Sequence, residues 1–257
     1  MSAIPLSYRE TGSGQPVVLV HAIGCDHRMW DSLARALAPS HRVIAVDARG
    51  HGASPVPPRP YSLEDLADDV AALLDRLGIG RADYVGLSMG GMVGQALALR
   101  HPAKVGRLVI ACSTSSYGPG GPANWQARIQ AVERGGLEAI RDMVAARYFS
   151  DAFRAAHPDV VKVVMDHFVR TPRDGYLGCC DAIAELDYAK DLGRIKAPTL
   201  VIAGELDAGT PPAMSEAIAR GIPGARLEVI PGAAHLAAIE APAAFDAAVG
   251  RFLAARP

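Results

Sequence analysis

The stretch Gly86-Leu87-Ser88-Met89-Gly90 decides how this chain is read. The apolar pair Tyr84-Val85 leads into it, and a run of small and apolar residues opens at Met92. The pattern is the end of a strand, a sharp turn and the start of a helix. G-x-S-x-G in that setting is a nucleophile elbow. A strand that turns directly into a helix forces the turn residue into a strained conformation and lifts its side chain off the top of the sheet. Backbone segments pass close together there, which calls for glycine at 86 and 90, where a Cβ would collide. Gly91 and Gly94 allow the helix to lie tightly on the sheet. The product is a presented Ser88 Oγ at a helix N-terminus, where backbone N–H groups and the helix dipole favour developing negative charge.

Outward from the elbow, apolar runs alternate with helical patterns. Val17-Val18-Leu19-Val20 and Val43-Ile44-Ala45-Val46 are continuous β-branched runs of the kind buried in parallel sheets. Val105 to Ala111, Pro198-Thr199-Leu200-Val201-Ile202 and Arg226 to Ile230 add further strands, and Ile4 to Tyr8 reads as a short edge strand. Met29 to Leu37 is helix-like. Ser62 with Asp65 resembles a capping box, opening a helix whose Leu63, Leu66, Val70, Leu73, Leu74 and Leu77 share one face before Gly78 stops it. Pro242 opens a closing helix. This alternation predicts an α/β class fold on a mostly parallel sheet.

The alternation breaks after Ser113. Ser115 to Pro122 is rich in Gly, Pro and Ser, and helices without strong strands follow, over Trp125–Arg134, Leu137–Arg147, Asp159–Arg170 and Gly178–Leu186. The reading is a core domain formed by residues 1–116 and 192–257, with a helical cap, or lid, inserted at 117–191.

Composition sets bounds. A chain of 257 residues fits one large α/β domain with an insertion. Half of it is apolar and 21% charged, which supports a sizeable core and excludes disorder. A net charge of −1 implies no basic face, so nucleic acid is not an expected partner. There is no Gly-rich phosphate loop with a lysine and no H-E-x-x-H, so neither a metal nor another cofactor is expected. Cys25, Cys112, Cys179 and Cys180 form no C-x-x-C pair and read as reduced thiols of a cytoplasmic protein. Met1-Ser2-Ala3-Ile4-Pro5 lacks the basic and apolar regions of a secretion signal, and no membrane span is expected.

Ser88 needs a base, and the base an orienting group. Of the eight histidines, His235 is the best placed: Pro231-Gly232-Ala233-Ala234-His235 follows the final strand, at the carboxyl edge where the elbow also lies. For the acid, Glu205 and Asp207 compete in Gly204-Glu205-Leu206-Asp207, after the strand before. Asp207 is preferred for lying deeper in the loop, ahead of Thr210-Pro211-Pro212. An oxyanion hole would take one N–H from Met89, after the nucleophile, and one from Ile23, in the loop after the early strand. His21 has two readings of equal weight: a holder of that loop, or a histidine at a strand end with no such role. Asp47-Ala48-Arg49-Gly50-His51-Gly52 reads as a loop that braces the elbow through hydrogen bonds and an ion pair.

These residues carry a resemblance. Over nearly its whole length the chain resembles the α/β-hydrolase superfamily, and more narrowly the bacterial 3-oxoadipate enol-lactonases, in Asp47–Ser54, Gly86–Met92, Tyr176-Leu-Gly-Cys-Cys-Asp-Ala-Ile183 and Ala197–Gly204. The stretch from Tyr176 is the most diagnostic, because caps vary most between families. The resemblance implies the α/β-hydrolase fold, with a mostly parallel eight-stranded sheet flanked by helices, and no cofactor. It implies Ser88 as nucleophile, Asp207 as acid and His235 as base, acting on a small-molecule lactone or ester in a monomer or homodimer. A 3-oxoadipate enol-lactone carries a free carboxylate, which needs a cation when buried. Trp125 and Arg128, three apart on one helix face, are the candidates for roofing the pocket and holding that carboxylate, with Arg147 in reserve. One departure stands out: His21-Ala22-Ile23-Gly24 is nearer the general esterase form than the Ser-Leu-Gly loop of those lactonases. The alternatives are a broad carboxylesterase or lactonase, a cofactor-free perhydrolase, a C–C bond hydrolase, and a binding protein that reuses the pocket.

Overall fold

The computed structural model describes residues 2–255. Its centre is one sheet in the order β1-β3-β2-β4-β5-β6-β7, with β1 (Tyr8–Thr11), β2 (Gln15–Val20), β3 (His41–Val46), β4 (Ala82–Leu87), β5 (Val105–Ala111), β6 (Thr199–Gly204) and β7 (Arg226–Ile230). β1 runs antiparallel to β3, and every other pair is parallel. The β-branched runs predicted as buried strands fall at the centre. Val17 to Val20 pairs in register with Val43 to Val46 on one side and with Asp83 to Gly86 on the other.

The sheet has seven strands among the described residues, not the eight implied by resemblance, and its first strand lies at Tyr8–Thr11 rather than at the expected Ile4–Tyr8. The Ile4 N–H donates to Asp69 Oδ1 and the Ser7 N–H to Ser54 Oγ, both at 2.8 Å. These donors are drawn to side chains; the Ser7 carbonyl accepts from the Asp47 N–H at 2.9 Å, and strand geometry begins at Tyr8.

Strand order reverses between β2 and β4. From β2 the chain crosses outward to β3, then returns past β2 to β4. The carboxyl ends of β2 and β4 therefore face a crevice whose connections leave in opposite directions, the usual place for a ligand in an open parallel sheet. Ile23 follows β2 and Ser88 follows β4, so both sit at that crevice.

Helices cover the sheet. They are α1 (Asp31–Leu37), α2 (Leu63–Arg76), α3 (Met89–Arg100), α4 (Gly121–Gly135), α5 (Arg141–Tyr148), α6 (Asp151–Ala156), α7 (Pro158–Val169), α8 (Arg173–Ala184), α9 (Pro212–Gly221), α10 (Ala237–Glu240) and α11 (Pro242–Ala254). The expected capping box opens α2: the Ser62 side chain accepts from the Asp65 N–H, and Asp65 accepts from the Ser62 N–H. α2 packs on α3 along one face of the sheet, and α1 packs on α11.

Between β5 and β6 lie five helices, α4 to α8, with α4 against α8. The expected helix at 137–147 is a 3₁₀ turn, Leu137–Ile140, running into α5. The short α6 has no counterpart in the sequence reading. Ser150 caps it by accepting from the Phe153 N–H.

Candidate active site

Ser88 has φ 56° and ψ −115°, a conformation that costs a non-glycine residue on the order of 1–3 kcal/mol. The surroundings over-determine it. The Ser88 N–H donates to Ala111 O at 2.8 Å, and the Ser88 carbonyl accepts from Ser113 Oγ at 2.8 Å and from the Met92 N–H at 3.1 Å. The elbow glycines are required by close approach. A Cβ on Gly86 would lie 2.1 Å from Gly90 O, and one on Gly90 would lie 1.9 Å from Val20 O. Tyr84 Oη donates to Gly90 O at 2.7 Å and locks the turn from beneath.

Asp207 and His235 meet at the same edge, from the loops after β6 and β7. His235 Nδ1 lies 2.8 Å from Asp207 Oδ2. The Asp207 carboxylate is saturated: Oδ1 accepts from the Gly209 and Thr210 N–H groups and Oδ2 from Thr210 Oγ1. Burial raises the affinity of this carboxyl for a proton. The facing His235 and the Thr210 bonds outweigh it, and its pKa is held below the ordinary range. Glu205 is exposed and accepts from the Gly232 N–H at 2.7 Å, tying the two loops together. Of the two candidate acids, Asp207 is the one that reaches the histidine. Ser88, Asp207 and His235 are all at most 5% exposed.

The Ile23 N–H has its direction set by the peptides on either side. His21 Nε2 accepts from the Ala48 N–H at 3.0 Å, so its proton is on Nδ1 and is donated to Ala22 O at 2.7 Å. The Cys25 N–H donates to the same oxygen at 3.0 Å. In a trans peptide the N–H points opposite to the C=O. With the Ala22 carbonyl held by two donors, the Ile23 N–H faces the other way, and it donates to no other group among the described residues. On the next peptide, the Gly24 N–H donates to His51 Nε2 at 2.9 Å, and His51 Nδ1 lies 3.2 Å from Arg49 O. The Met89 N–H opens α3 and has no intrahelical acceptor.

Both imidazoles are therefore neutral. Burial lowers the pKa of His21, and burial together with the neighbouring His21 pushes that of His51 down to about 3. The loop from Asp47 to Gly52 braces the Ile23 loop and α2 rather than the elbow itself. Ala48 and His51 bind the 21–24 segment, and Arg49 forms a fully buried ion pair with Asp69 at 2.6 Å. Asp26, His27 and Asp47 offer ligand atoms within 4.8 Å of one another, in a geometry that could hold a cation. Those atoms are committed: Asp26 to Arg28, and Asp47 to the His27 and Ala53 N–H groups and the His27 ring.

Over this edge lie residues of the helical segment. Arg128 on α4 is 8% exposed, with its guanidinium carbon 5.1 Å from the Trp125 ring centre and 5.5 Å from that of Tyr176 on α8. Its Nε and Nη2 and the Tyr176 hydroxyl are buried without hydrogen-bond partners. Tyr176 stands edge-on to Phe168 at 5.6 Å, and both rings border Gly24. The guanidinium is thus one ring away from the Ile23 loop. Arg147 is exposed, its stem against Gly209 in the loop that bears Asp207. Its charge acts on Tyr117 and Tyr176, as that of Arg128 does. Tyr148, Ser113 and Thr210 were not singled out in the sequence. An aromatic at the end of a helix and hydroxyls in loops have no local pattern that separates them from their neighbours.

A cleft of about 330 Å³, lined in part by Cys25, Arg28, Met29, Val163, His167 and Ile239, contains none of the three central residues. No helix among the described residues is long and apolar enough to cross a membrane.

The chain is similar to known proteins over nearly its whole length. The chain is 36% identical to 3-oxoadipate enol-lactonase 2 of Acinetobacter baylyi over 248 residues, covering 96% of this chain and 92% of that one. The solved enol-lactonase of Burkholderia xenovorans LB400 superposes with a TM-score of 0.94 at 36% identity, covering 97% and 96% of the two chains. A thermophilic esterase of Thermogutta terrifontis, solved with malate bound, superposes with a TM-score of 0.92 at 33% identity, covering 96% and 92%. The model of the alpha/beta hydrolase fold matches residues 15–242, and the chain belongs to that family.

Proposed function

We propose that this protein hydrolyses a carboxylic ester bond through an acyl-enzyme on Ser88, and that its substrate is a small lactone bearing a free carboxylate, of which 3-oxoadipate enol-lactone is the type. The observation that carries the substrate class is the buried Arg128 guanidinium, whose Nε and Nη2 have no partner. An unmade hydrogen bond to a buried charged group costs more than about 1–3 kcal/mol. A carboxylate placed between Arg128 and the Tyr176 hydroxyl would satisfy both. The likeness to enol-lactonases supports the same reading.

In the reaction, Ser88 Oγ attacks the lactone carbonyl while His235 Nε2 takes its proton, and Asp207 stabilises the imidazolium that forms. The carbonyl oxygen becomes an oxyanion that accepts from the Ile23 and Met89 N–H groups. The C–O bond of the ring breaks, and His235 returns the proton to the departing enol oxygen, which stays tethered in the acyl group. Water, activated by His235, then attacks the acyl carbon and releases the diacid and free Ser88 Oγ.

A broader carboxylesterase is the second reading, favoured by the esterase-like His21-Ala22-Ile23-Gly24 loop. The test is turnover by the purified enzyme of 3-oxoadipate enol-lactone beside neutral lactones and short acyl esters, with Ser88→Ala as control. A preference of kcat/KM for the acidic lactone supports the proposal. Equal turnover of neutral esters selects the broader enzyme.

A further inference from the structure

Tyr148 ends α5, in the segment between β5 and β6, yet its contacts lie on both sides of the elbow. Its hydroxyl donates to the Ile23 carbonyl. Its ring is stacked on the His235 imidazole, with centres 5.8 Å apart and planes 19° from parallel. Its own carbonyl accepts from the Leu236 N–H at 2.9 Å, next to His235. The residue is buried and is wedged edge-on by Phe149 and Phe168, so it has little freedom of its own.

Each contact fixes a degree of freedom that the core leaves open. The Asp207 bond sets the direction in which His235 Nδ1 points, but one hydrogen bond allows the ring to turn about the Nδ1···Oδ2 line. A stacked face stops that rotation and aims Nε2. In the Ile23 loop, the Ala22 carbonyl is held by His21 and Cys25. The following peptide is held on its N–H side by His51 and, among the described residues, on its C=O side by Tyr148 alone. With both peptides clamped, the backbone torsions of Ile23 cannot drift, and its N–H keeps one direction. Preorganised donors are what make an oxyanion hole effective.

Given Ser88 as nucleophile and His235 as base, as proposed above, we infer that Tyr148 is a positioning residue that completes the base and the oxyanion hole from the helical segment. Proton transfer and charge stabilisation then depend on this segment being seated. An enzyme with Tyr148 withdrawn retains its nucleophile and acid and is slow at acylation.

The test uses Tyr148→Phe, which keeps the stack and removes the hydroxyl, and Tyr148→Leu, which removes both. Single-turnover acylation is followed with the p-nitrophenyl ester on which the parent enzyme is fastest, together with KM and the melting temperature. Loss of one oxyanion donor costs on the order of 10²–10³ in rate, so misaiming one is expected to cost about tenfold in Tyr148→Phe and about a hundredfold in Tyr148→Leu, with KM within about twofold. A tyrosine that merely fills space would leave Tyr148→Phe acylating at the parent rate, and that result overturns the inference, whether or not Tyr148→Leu folds. A rise in KM with an unchanged acylation rate overturns it equally. Ser88→Ala separates the two layers. If it is inert while Tyr148→Phe is fully active, only the role of Tyr148 fails. If Ser88→Ala turns over ester, the underlying mechanism fails first.

Discussion

The carboxyl edge of the sheet and the helices above it treat polar groups in opposite ways. At the edge the groups that hold the loops and side chains in place are matched. Asp207 accepts from two backbone N–H groups, a hydroxyl and an imidazole, while His21 and His51 each use both ring nitrogens. In the helices, Arg128 Nε and Nη2 and the Tyr176 hydroxyl are buried without a hydrogen bond of ordinary geometry, and the two side chains face each other. Preorganised machinery must be complete before substrate arrives, because each group that moves during reaction adds to the barrier. A recognition site does the reverse: its donors stay unpaired so that the ligand alone satisfies them. The contrast therefore divides the candidate site into a part that reacts and a part that selects.

The sharpest way to break that division is at the reacting part. Ser88→Ala is expected to lower kcat by on the order of 10⁴–10⁶ with the fold retained, checked by turnover and circular dichroism. Activity above about a tenth of the parent's in a folded variant would remove Ser88 as nucleophile. Asp207→Asn follows, with a loss of roughly 10⁴ in kcat and little change in KM. An amide placed with its NH₂ toward His235 cannot accept from Nδ1, so the imidazole loses the tautomer that leaves Nε2 basic. Glu205→Gln, in the exposed latch, should leave kcat near the parent value. The reverse ranking would move the acid to Glu205.

The selecting part is probed by Arg128→Ala. It should raise KM for a carboxylate-bearing lactone by on the order of thirtyfold, the loss of one charge-assisted bond of about 2 kcal/mol. KM for a neutral short ester should change little. Equal loss on both substrates would mean that Arg128 supports packing through Trp125 and Tyr176 and does not select.

The two parts also differ in how they could be read from the chain. The elbow, the buried strands and the α2 cap rest on spacing within a few residues, and that spacing survives folding unchanged. The candidate acid and base were found from their place after a strand, because a parallel sheet gathers its strand ends at one edge. Ile4–Tyr8 misled because an apolar, alternating segment does not reveal that Asp69 and Ser54 will take its N–H groups. Arg147 is a reserve cation by its type alone, and burial, which the sequence does not show, separates the two: Arg147 is exposed, while Arg128 is enclosed between two rings. Tyr148 lies 125 residues from Ile23 and bonds to it only through tertiary packing, for which no local pattern exists.

The smallest expected effect tests whether the edge is as fully matched as it looks. His51 accepts the Gly24 N–H on Nε2 and faces the Arg49 carbonyl with Nδ1. A second proton would have to displace the Gly24 bond inside a buried site, and burial with His21 alongside pushes the pKa down to about 3. In the unfolded chain a histidine titrates near about 6.5. Between these values the unfolded state binds a proton that the folded state refuses. The stability that depends on neutral His51 is thus complete above about pH 6.5 and falls by about 1.4 kcal/mol per unit as the pH drops toward 3. His21, lowered by burial, adds to the slope with the same sign. His51→Gln supplies an amide oxygen for the Gly24 N–H and an NH₂ for the Arg49 carbonyl, but no titrating group. Urea unfolding at pH 5.0, 5.5 and 6.0 should then show a slope shallower by one proton, about 1.4 kcal/mol per unit, than in the parent. An unchanged slope would mean that His51 already carries its proton in the folded state. Its link to the Ile23 loop would then not be the neutral acceptor that the matched edge requires.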